Sequence, residues 1–574
     1  MQYTSREVYE YVSQQTNDPI AQRKTCAVSG KEFPIYQSDL AFYEKLSPTF
    51  DWKKCSIPTP TLCPEERLRR RLLFRNEKKL YRRTCDASGK SIVSNYSPDK
   101  NYKVYGIDYR RSDNRDAKDY GVVRDGSSTF TDTFRSVYES APHISLMVKM
   151  NENCDYVNGC GNSKNCYLVF DTDFCEDSMY SSILKHSKNV VDSMHIYYCD
   201  TAYNCINCTE SFALFNCYEC DQSKYLYSCA LCSSCEFCIN CNNLVGKKYC
   251  IDNMQYTKEE YEKHAWEILQ QMPKNYLQRA TYKVNDQWWY GNNLYGTNNC
   301  RFSYNIWFSE NLAYCDMVTD CHNSYDISSF GGTTQRSLDS ISIWLDCSNI
   351  YFSSVVTAWS SHVYYSQAIV ASHHMFGCTF MKNASYCIFN KQYDKETREK
   401  EVAKIIAAMQ VENTWWEFLP VSTSPFGYNE TAAHEYMPLS REEALQRGYK
   451  RQDKTYDPAL PAGADVVERK NYTEDQRDAL KNQEDVLQKV FLCEESWRPF
   501  RIVKPELEFY RKHNLSLPSE HPDIRHAERV SRLPSKTLLL RESTKSWEKM
   551  LSVYPDSYAG QVYTEKEYQQ EIFG

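Results

Sequence analysis

The sequence predicts a mainly β protein in which two duplicated β-solenoid arrays with helical caps are flanked by small, degenerate zinc-ribbon-like α+β modules. Three observations support this fold class. The fifteen cysteines from Cys154 to Cys250 are all separated by multiples of three residues. The other residues in that phase are small or apolar until Lys247. The same spacing recurs from Thr297 to Cys387, with two small shifts of phase. Such a register indicates a repeat architecture.

The period of three distinguishes a narrow solenoid from ordinary strands and helices. Side chains alternate with a period of two in a strand and of 3.6 in a helix, so a strict period of three fits neither. In a narrow β-solenoid, every third side chain points inward. Cysteines recur every twelve residues from Cys205 to Cys241, whereas the tripeptide Ser-Lys-Asn returns after twenty-four, at Ser163 and Ser187. The coil is therefore predicted to contain twelve or twenty-four residues.

Both arrays end in a Tyr-Cys-Ile tripeptide, at residues 249–251 and 386–388, followed by a charged stretch of helical character. A helix over the open end of a repeat array covers its edge groups, so we predict an internal duplication with helical caps. The predicted organisation is an N-terminal helix (1–25), a degenerate zinc-ribbon-like module with a basic helix (26–145), a first β-solenoid (151–252), a helical cap and connector (253–290), a second β-solenoid (297–390), a helical cap and proline-containing connector (391–490) and a C-terminal degenerate ribbon-like module (491–574).

The cysteines within the arrays are interpreted as space-filling core residues. Pairs spaced as C-x-x-C, such as Cys205 and Cys208, are typical of zinc sites. The same columns contain serine, valine, leucine and isoleucine in neighbouring coils, so the position requires small size rather than a thiolate. A disulfide framework is a third alternative, which a reducing cytosol disfavours. Filler is the favoured interpretation of the three.

One outward column of the arrays is aromatic, while another is charged. A long apolar stripe on a soluble rod is seldom left uncovered. We expect the two solenoids or their flanking helices to cover it, and a groove for a protein partner or for self-association is the alternative. The stripe residues are Tyr167, Tyr203, Phe215, Tyr227, Tyr351, Tyr364 and Phe376.

The two ends of the chain contain a second, weaker duplication. Residues 33–45 match residues 500–512, each seven residues after a cysteine, Cys26 or Cys493. A two-knuckle zinc module needs ligands at the first and fourth positions of each knuckle. The first positions are suitable, but half of the expected ligands are absent because the fourth positions hold Ser29, Glu66, Ser496 and Ile524. No cofactor is expected elsewhere, and zinc is an alternative at the N-terminal module, with the candidate ligands Cys26, Cys63 and Cys85.

A basic segment at residues 67–83 is interleaved with leucine and aromatic residues. On a helix it would form a basic amphipathic surface, which is typical of RNA or DNA binding, although a solvated helix face has the same pattern. The candidate nucleic-acid-binding residues are Arg67, Arg69, Arg70, Arg71, Arg75, Lys78, Lys79, Arg82 and Arg83.

Three segments spread over nearly the whole chain carry a resemblance to known proteins: residues 91–100 (Ser-Ile-Val-Ser-Asn-Tyr-Ser-Pro-Asp-Lys), 162–168 (Asn-Ser-Lys-Asn-Cys-Tyr-Leu) and 424–431 (Ser-Pro-Phe-Gly-Tyr-Asn-Glu-Thr). Through these segments the chain resembles a family of cysteine-rich repeat proteins with zinc-ribbon-like ends, encoded mainly by ultra-small bacteria with reduced genomes. The resemblance implies the repeat fold and the ribbon-like ends but no particular activity. The chain departs from the family where the ribbons have C-x-x-C knuckles.

Composition excludes some classes of protein. The chain has 574 residues and a net charge of −7, so it is not a uniformly basic nucleic-acid coat. No apolar run approaches 18 residues and the first residues are polar, so we expect a cytoplasmic protein with no membrane partner. We find no nucleotide-binding or hydrolase motif. The favoured function is therefore a non-enzymatic interaction or scaffold protein; the alternatives are an RNA- or DNA-associated protein, including a ribosome-associated one, and a carbohydrate-acting β-helix enzyme.

Overall fold

A parallel β-solenoid of about 18 turns forms the body of this mainly β protein. The structure is a computed structural model that describes residues 2–111, 116–271, 282–283, 290–456, 460, 463–468, 483–558 and 560–573. The solenoid strands fall in two stretches of the chain, separated by the helix Lys258–Gln271 and the residues that follow it.

The first stretch contains two faces of short parallel strands. Each strand pairs with the strand twelve residues later, as Asn158 does with Phe170. The coil therefore contains twelve residues, which settles the choice between twelve and twenty-four. One face consists of Val148–Lys149, Asn158–Gly161, Phe170–Asp173, Ser182–Lys185, Met194–Tyr197 and Ile206–Thr209. The other consists of Lys188–Val191, Asp200–Tyr203, Phe212–Phe215, Lys224–Tyr227, Glu236–Ile239 and Lys248–Ile251, followed by the antiparallel Met254–Gln255.

The backbone explains the period of three. The residue before nearly every inward position in the first stretch has a positive φ, such as Asn165 (53°) before Cys166 and Asn204 (53°) before Cys205. This left-handed residue turns the chain at each corner, and asparagine and aspartate adopt it more readily than most residues. The N–H groups of the left-handed residues and of the residues that follow the inward positions pair with neighbouring coils, as Asn165 N does with Glu152 O (3.0 Å) and Lys164 N with Cys175 O (2.8 Å).

The second stretch contains longer coils where the sequence shifts phase. Three successive pairings span thirteen residues, from Tyr325 to Leu338, to Tyr351 and to Tyr364. There are therefore three one-residue insertions rather than the two that the sequence indicated. Its strands are Tyr290–Tyr295, Asn298–Trp307, Glu310–Ala313, Asp316–Gln335, Leu338–Trp344, Ser348–Tyr351, Ser354–Thr357, Ser361–Tyr364, Gln367–Val370, His373–Phe376, Ser385–Ile388 and Lys391–Gln392.

Inward serines and cysteines make the same hydrogen bonds. The Ser163 Oγ donates to Gly161 O (2.8 Å) and accepts from Cys175 N (3.2 Å). The Cys217 Sγ likewise donates to Phe215 O (3.4 Å), and the N–H of Cys217 donates to the Sγ of Cys205 (3.4 Å). All cysteines are free thiols, and all except Cys154 are buried. The interior therefore accepts small side chains whose single polar atom bridges two coils.

Helices and short sheets flank the solenoid. The helices are Arg6–Thr16, Gln37–Leu46, Pro64–Leu72, Ile107–Arg111, Phe130–Ser140, Lys258–Gln271, Lys395–Val411, Ala432–Tyr436, Arg441–Gln446, Gln483–Gln488, Lys504–Lys512, Pro522–Ser531 and Glu565–Phe573. The remaining strands are Ile20–Thr25, Glu32–Tyr36, Thr49–Phe50, Lys53–Lys54, Tyr81–Thr84, Ser91–Ser94, Val104–Tyr105, His143–Ile144, Tyr282–Lys283, Val466–Glu468, Val490–Leu492, Pro499–Phe500, Leu539–Glu542, Lys549–Ser552 and Val562–Tyr563.

Candidate functional site

The helix Pro64–Leu72, here called the arginine helix, packs against the second solenoid stretch and turns its basic residues inward. The expectation of an exposed basic surface is wrong for this helix and for the residues just after it. Five arginines are at most 8% exposed: Arg67, Arg69, Arg70, Arg71 and Arg75.

Buried carboxylates of the solenoid pair with the arginine helix. Asp326 Oδ1 accepts from Arg67 Nε (2.9 Å) and from Arg71 Nη1 (3.1 Å). Asp339 accepts from Arg71 Nη1 (2.8 Å) and also pairs with Arg70. Paired guanidinium and carboxylate groups can be buried, whereas unpaired ones are costly. These arginines are therefore committed to contacts within the chain.

The rest of the basic segment connects other parts of the molecule. Its partners are spread over more than 400 residues of sequence, so no local pattern reveals them. The contacts are Arg69 Nη1 with the Tyr428 hydroxyl (3.0 Å), Arg75 Nη2 with Asp171 (2.6 Å), Lys78 with Glu435 (3.6 Å), Lys79 with Asp523 (3.3 Å) and Arg83 with the carbonyl of Tyr102 (3.1 Å).

Lys79 and Arg82 are the exposed members of the predicted nucleic-acid-binding set. Arg82 donates to the hydroxyl of Tyr156 and lies over its ring. Two exposed cations provide far fewer phosphate contacts than the nine predicted. Nucleic-acid binding stays a prediction, without the helical surface from which it was inferred.

The aromatic stripe of the first solenoid stretch is covered by flanking helices. Tyr203 lies 5.9 Å from Tyr510 and 6.2 Å from Phe509, between ring centroids, and these two residues belong to the helix Lys504–Lys512. Phe215 is 4% exposed. Tyr167 packs against the same cluster, and Tyr227 packs beneath the helix Lys258–Gln271.

The stripe of the second stretch is covered as well. Tyr351, Tyr364 and Phe376 are at most 4% exposed. The ring of Phe50 lies 5.4 Å from Tyr364, and that of Phe130 lies 5.9 Å from Phe376. Coverage by flanking elements, expected from the sequence, is thus observed, and these stripes do not form an open groove.

Four turns in the flanking modules share one set of backbone hydrogen bonds; we call them the knuckle turns. In each turn, the N–H of the first residue donates to the carbonyl of the sixth residue, and the N–H of the fifth residue donates to the carbonyl of the first. The second residue donates to the carbonyl of a distant segment that leads into a helix. The first residues are Cys26, Cys85, Cys493 and Ser543, and the fifth residues, all with positive φ, are Gly30, Gly89, Trp497 and Trp547.

Cys26 and Cys63 meet at the first knuckle turn, whereas Cys85 belongs to the second. The hydrogen bond from Cys63 lowers the pKa of Cys26 to about 5, and Ser29 Oγ lies 3.7 Å from Cys63 Sγ. The Sγ of Cys85 instead accepts the N–H of Gly106 (3.3 Å). The three cysteines predicted as ligands are therefore not brought together. Over the described residues, no group of three or more His, Cys, Asp or Glu side chains could hold a metal ion.

The helix Pro522–Ser531 docks on the first solenoid stretch as the arginine helix docks on the second. Arg525 and Arg529 both pair with Asp192, which is 2% exposed. Asp192 (φ 50°) and Asp326 (φ 57°) both occupy the left-handed position of a coil. In each helix the two arginines are four residues apart, which places them on one face.

A surface cleft of about 400 Å³ is lined by residues of two segments, 99–102 and 425–430, together with Glu139 and residues 450–452. At its wall Lys100 Nζ lies 2.6 Å from Glu430 Oε2. Burial lowers the pKa of Lys100 and of Lys450, and nearby cations lower the pKa of Lys450 further. Lys450 donates to the carbonyl of Ser424 (2.8 Å). These contacts hold the two segments together.

Three solvent-exposed rings form the aromatic ladder on the first solenoid stretch: Phe174, His186 and Tyr198. Their centroids are 4.8 and 5.0 Å apart and their planes differ by at most 5°. Phe174 is 50% and Tyr198 59% exposed. This ladder is absent from the sequence-based predictions, although its residues recur every twelve positions, which is the period of the coil.

No family model matches the chain, and no curated protein matches it. Within the described part of the chain, no helix combines the length and the apolar character that crossing a bilayer requires.

Proposed function

We propose that the protein is a non-enzymatic interaction scaffold that binds a protein partner through the aromatic ladder. The observation that carries this proposal is the exposure of Phe174, His186 and Tyr198, whereas the chain itself covers the aromatic stripe of the same solenoid stretch. Exposed contiguous aromatic surface on a soluble protein marks an interaction site, and aromatic residues dominate binding energy at such sites.

The neighbouring column supports recognition of a protein. Across the inward column from the ladder lie Glu176, Lys188 and Asp200, and Glu176 pairs with Lys188 at 3.1 Å. An apolar strip beside alternating charges is the arrangement of an interface core and its polar rim. The ladder lies on hydrogen-bonded coils, so little conformational entropy is lost when a partner binds.

Replacing the ladder by asparagine tests the proposal. Asparagine fits because Asn162 holds the same column with a φ of 51°. The matched control replaces three exposed polar residues further along that column, Glu210, Gln222 and Ser234, by asparagine. We expect the variant Phe174→Asn/His186→Asn/Tyr198→Asn to bind its partner about 100-fold more weakly, since each hot-spot ring contributes about 1 kcal/mol or more.

The measurement is quantitative affinity purification from the source cell, with and without nuclease, followed by direct binding of the recovered protein. A partner retained by the wild type and the control, and lost by the ladder variant, is the expected result. Equal recovery by all three proteins would refute the proposal. A nuclease-sensitive partner that the ladder variant retains would favour the nucleic-acid alternative.

We infer further that the chain contains two copies of a module paired with a solenoid stretch. The equivalent docking of Arg67 and Arg71 on Asp326, and of Arg525 and Arg529 on Asp192, supports this duplication. The shared hydrogen bonds of the knuckle turns support derivation of both modules from a zinc-ribbon-like ancestor. In such a ribbon, metal ligands would hold the turn that backbone hydrogen bonds hold here.

A further inference from the structure

One cysteine of the first solenoid stretch is accessible to solvent. Cys154 lies in the first coil of this stretch and is partly exposed, whereas all the other cysteines are buried. Its sequence neighbours Asn153 and Asp155 are exposed. The hydrogen bond from its Sγ to Glu152 O (3.3 Å) also lies at the surface. Small dissolved molecules can therefore reach the sulfur of Cys154.

The next coil places a second thiol directly beside this sulfur. Cys166 occupies the same inward column, twelve residues further along the chain. The parallel pairs that flank the two cysteines are Glu152 with Lys164 and Asp155 with Tyr167. Successive coils are about 4.8 Å apart, which lies within the range of about 4.4 to 6.8 Å between the Cα atoms of a disulfide.

The thiol of Cys154 is directed toward the second coil. Its Sγ lies 3.4 Å from the carbonyl oxygen of Ser163, which belongs to that coil. A hydrogen bond from the Cys166 thiol lowers the pKa of Cys154 to about 7, and the same hydrogen bond raises the pKa of Cys166. About half of the Cys154 side chains are therefore thiolate at neutral pH, compared with about 3% for an ordinary cysteine.

We propose that Cys154 is a site of oxidation by hydroperoxides and that Cys166 is its resolving cysteine, so that oxidation ends in a disulfide between the first two coils. Redox-sensitive cysteines are accessible thiolates that lie next to a resolving cysteine, and this pair has both properties. Cys160, across the same coil, is less suited as the resolving residue because its Sγ already accepts a hydrogen bond from the hydroxyl of Thr172 (3.0 Å).

The proposed oxidation consumes one hydroperoxide. The Cys154 thiolate attacks a peroxide oxygen and the O–O bond breaks, so the sulfur is oxidised to a sulfenic acid and the peroxide is reduced to water or an alcohol. The sulfur of Cys166 then attacks the sulfenic sulfur, and the hydroxyl group leaves as water with the proton of the Cys166 thiol. Two thiols and one hydrogen peroxide thus give one disulfide and two waters.

The experiment treats the reduced full-length protein, with a chelator present, with a small excess of hydrogen peroxide. The remaining thiols are then alkylated, and the protein is digested with trypsin and analysed by mass spectrometry. Trypsin cuts after Lys149 and Lys164, so Cys154 and Cys166 fall on different peptides. A disulfide between them joins these two peptides.

Three serine variants accompany the wild type. Cys154→Ser removes the oxidised residue and Cys166→Ser removes the resolving residue. Serine fits this column, because Ser178 occupies it one coil further on and is 0% exposed. The matched control is Cys160→Ser, which removes a buried cysteine from the same coil and the same tryptic peptide as Cys154.

We expect the wild type and the control to lose two thiols per molecule and to give the peptide pair joined through Cys154 and Cys166. Cys166→Ser should instead accumulate a sulfenic acid at Cys154, which dimedone traps. Cys154→Ser should lose thiols about tenfold more slowly, because the remaining cysteines are buried.

Three results would overturn the proposal: a wild type that is not oxidised at Cys154, a wild-type disulfide that joins Cys154 to a cysteine other than Cys166, or a Cys154→Ser variant that loses thiols as fast as the wild type. The peptide map of the wild type does not depend on whether any variant folds.

Discussion

The substitution Asp326→Asn should lower the free energy of unfolding by about 3 to 5 kcal/mol, because it leaves a buried guanidinium without its carboxylate. Asp326 is 2% exposed and pairs with both Arg67 and Arg71. Asp339 still pairs with Arg71 in the variant, so Arg67 is the group left uncompensated. Asparagine tolerates the left-handed backbone at this position, so backbone strain does not account for the loss.

The matched control for this prediction is Asp320→Asn. Asp320 has a φ of 53° in the same solenoid stretch, but its side chain is 48% exposed and contacts His322. An exposed pair contributes about 1 kcal/mol or less. Urea unfolding of the three proteins provides the comparison. If both variants unfold at the same midpoint, the arginine helix is not anchored by Asp326.

The substitution Cys220→Asp should also lower the free energy of unfolding by about 3 to 5 kcal/mol at neutral pH, because it places an unpaired carboxylate in the solenoid interior. Cys220 is 0% exposed and its Sγ donates to the carbonyls of Tyr218 and Cys229, both at 3.6 Å. The control Cys220→Ser keeps a small hydrogen-bond donor at the same place. It should therefore stay within about 1 kcal/mol of the wild type.

The loss caused by Cys220→Asp should depend on pH. Burial raises the pKa of the introduced carboxyl in the folded protein above its unfolded value of about 3.9. The penalty from ionisation is therefore absent below the unfolded pKa, grows as the pH rises and is complete above the folded pKa. Unfolding curves at about pH 5 and about pH 8 should show the larger loss at the higher pH. A loss that is independent of pH would contradict a buried, ionisable position.

Much of the solenoid could be predicted from the sequence because its inward columns obey one steric rule. The spacing of three from Cys154 onward follows from a left-handed residue before nearly every inward position. Coil length was ambiguous, since residue identities repeat at both twelve and twenty-four. The sequence pattern misplaces the insertions because Leu338 and Ile341 are apolar and therefore resemble inward residues, although they contact flanking elements. Ile343 is the residue that faces the interior.

The flanking modules were less predictable because their contacts are distant in sequence. The arginine helix looked like a solvated basic surface, and its burial depends on Asp326 and Asp339, more than 250 residues away. Cys85 was grouped with Cys26 although it begins its own knuckle turn. A local signal existed, since Thr-Cys-x-x-Ser-Gly-Lys occurs at both 25–31 and 84–90.

The solenoid cysteines fill the interior as free thiols. A count of reactive thiols in the metal-free protein, with a strong chelator present and without added reductant, tests this. We expect denatured protein to react at all 26 cysteines, and native protein to react rapidly at Cys154 and slowly at the others. A denatured count well below 26, or rapid reaction of many thiols in the native protein, would contradict it.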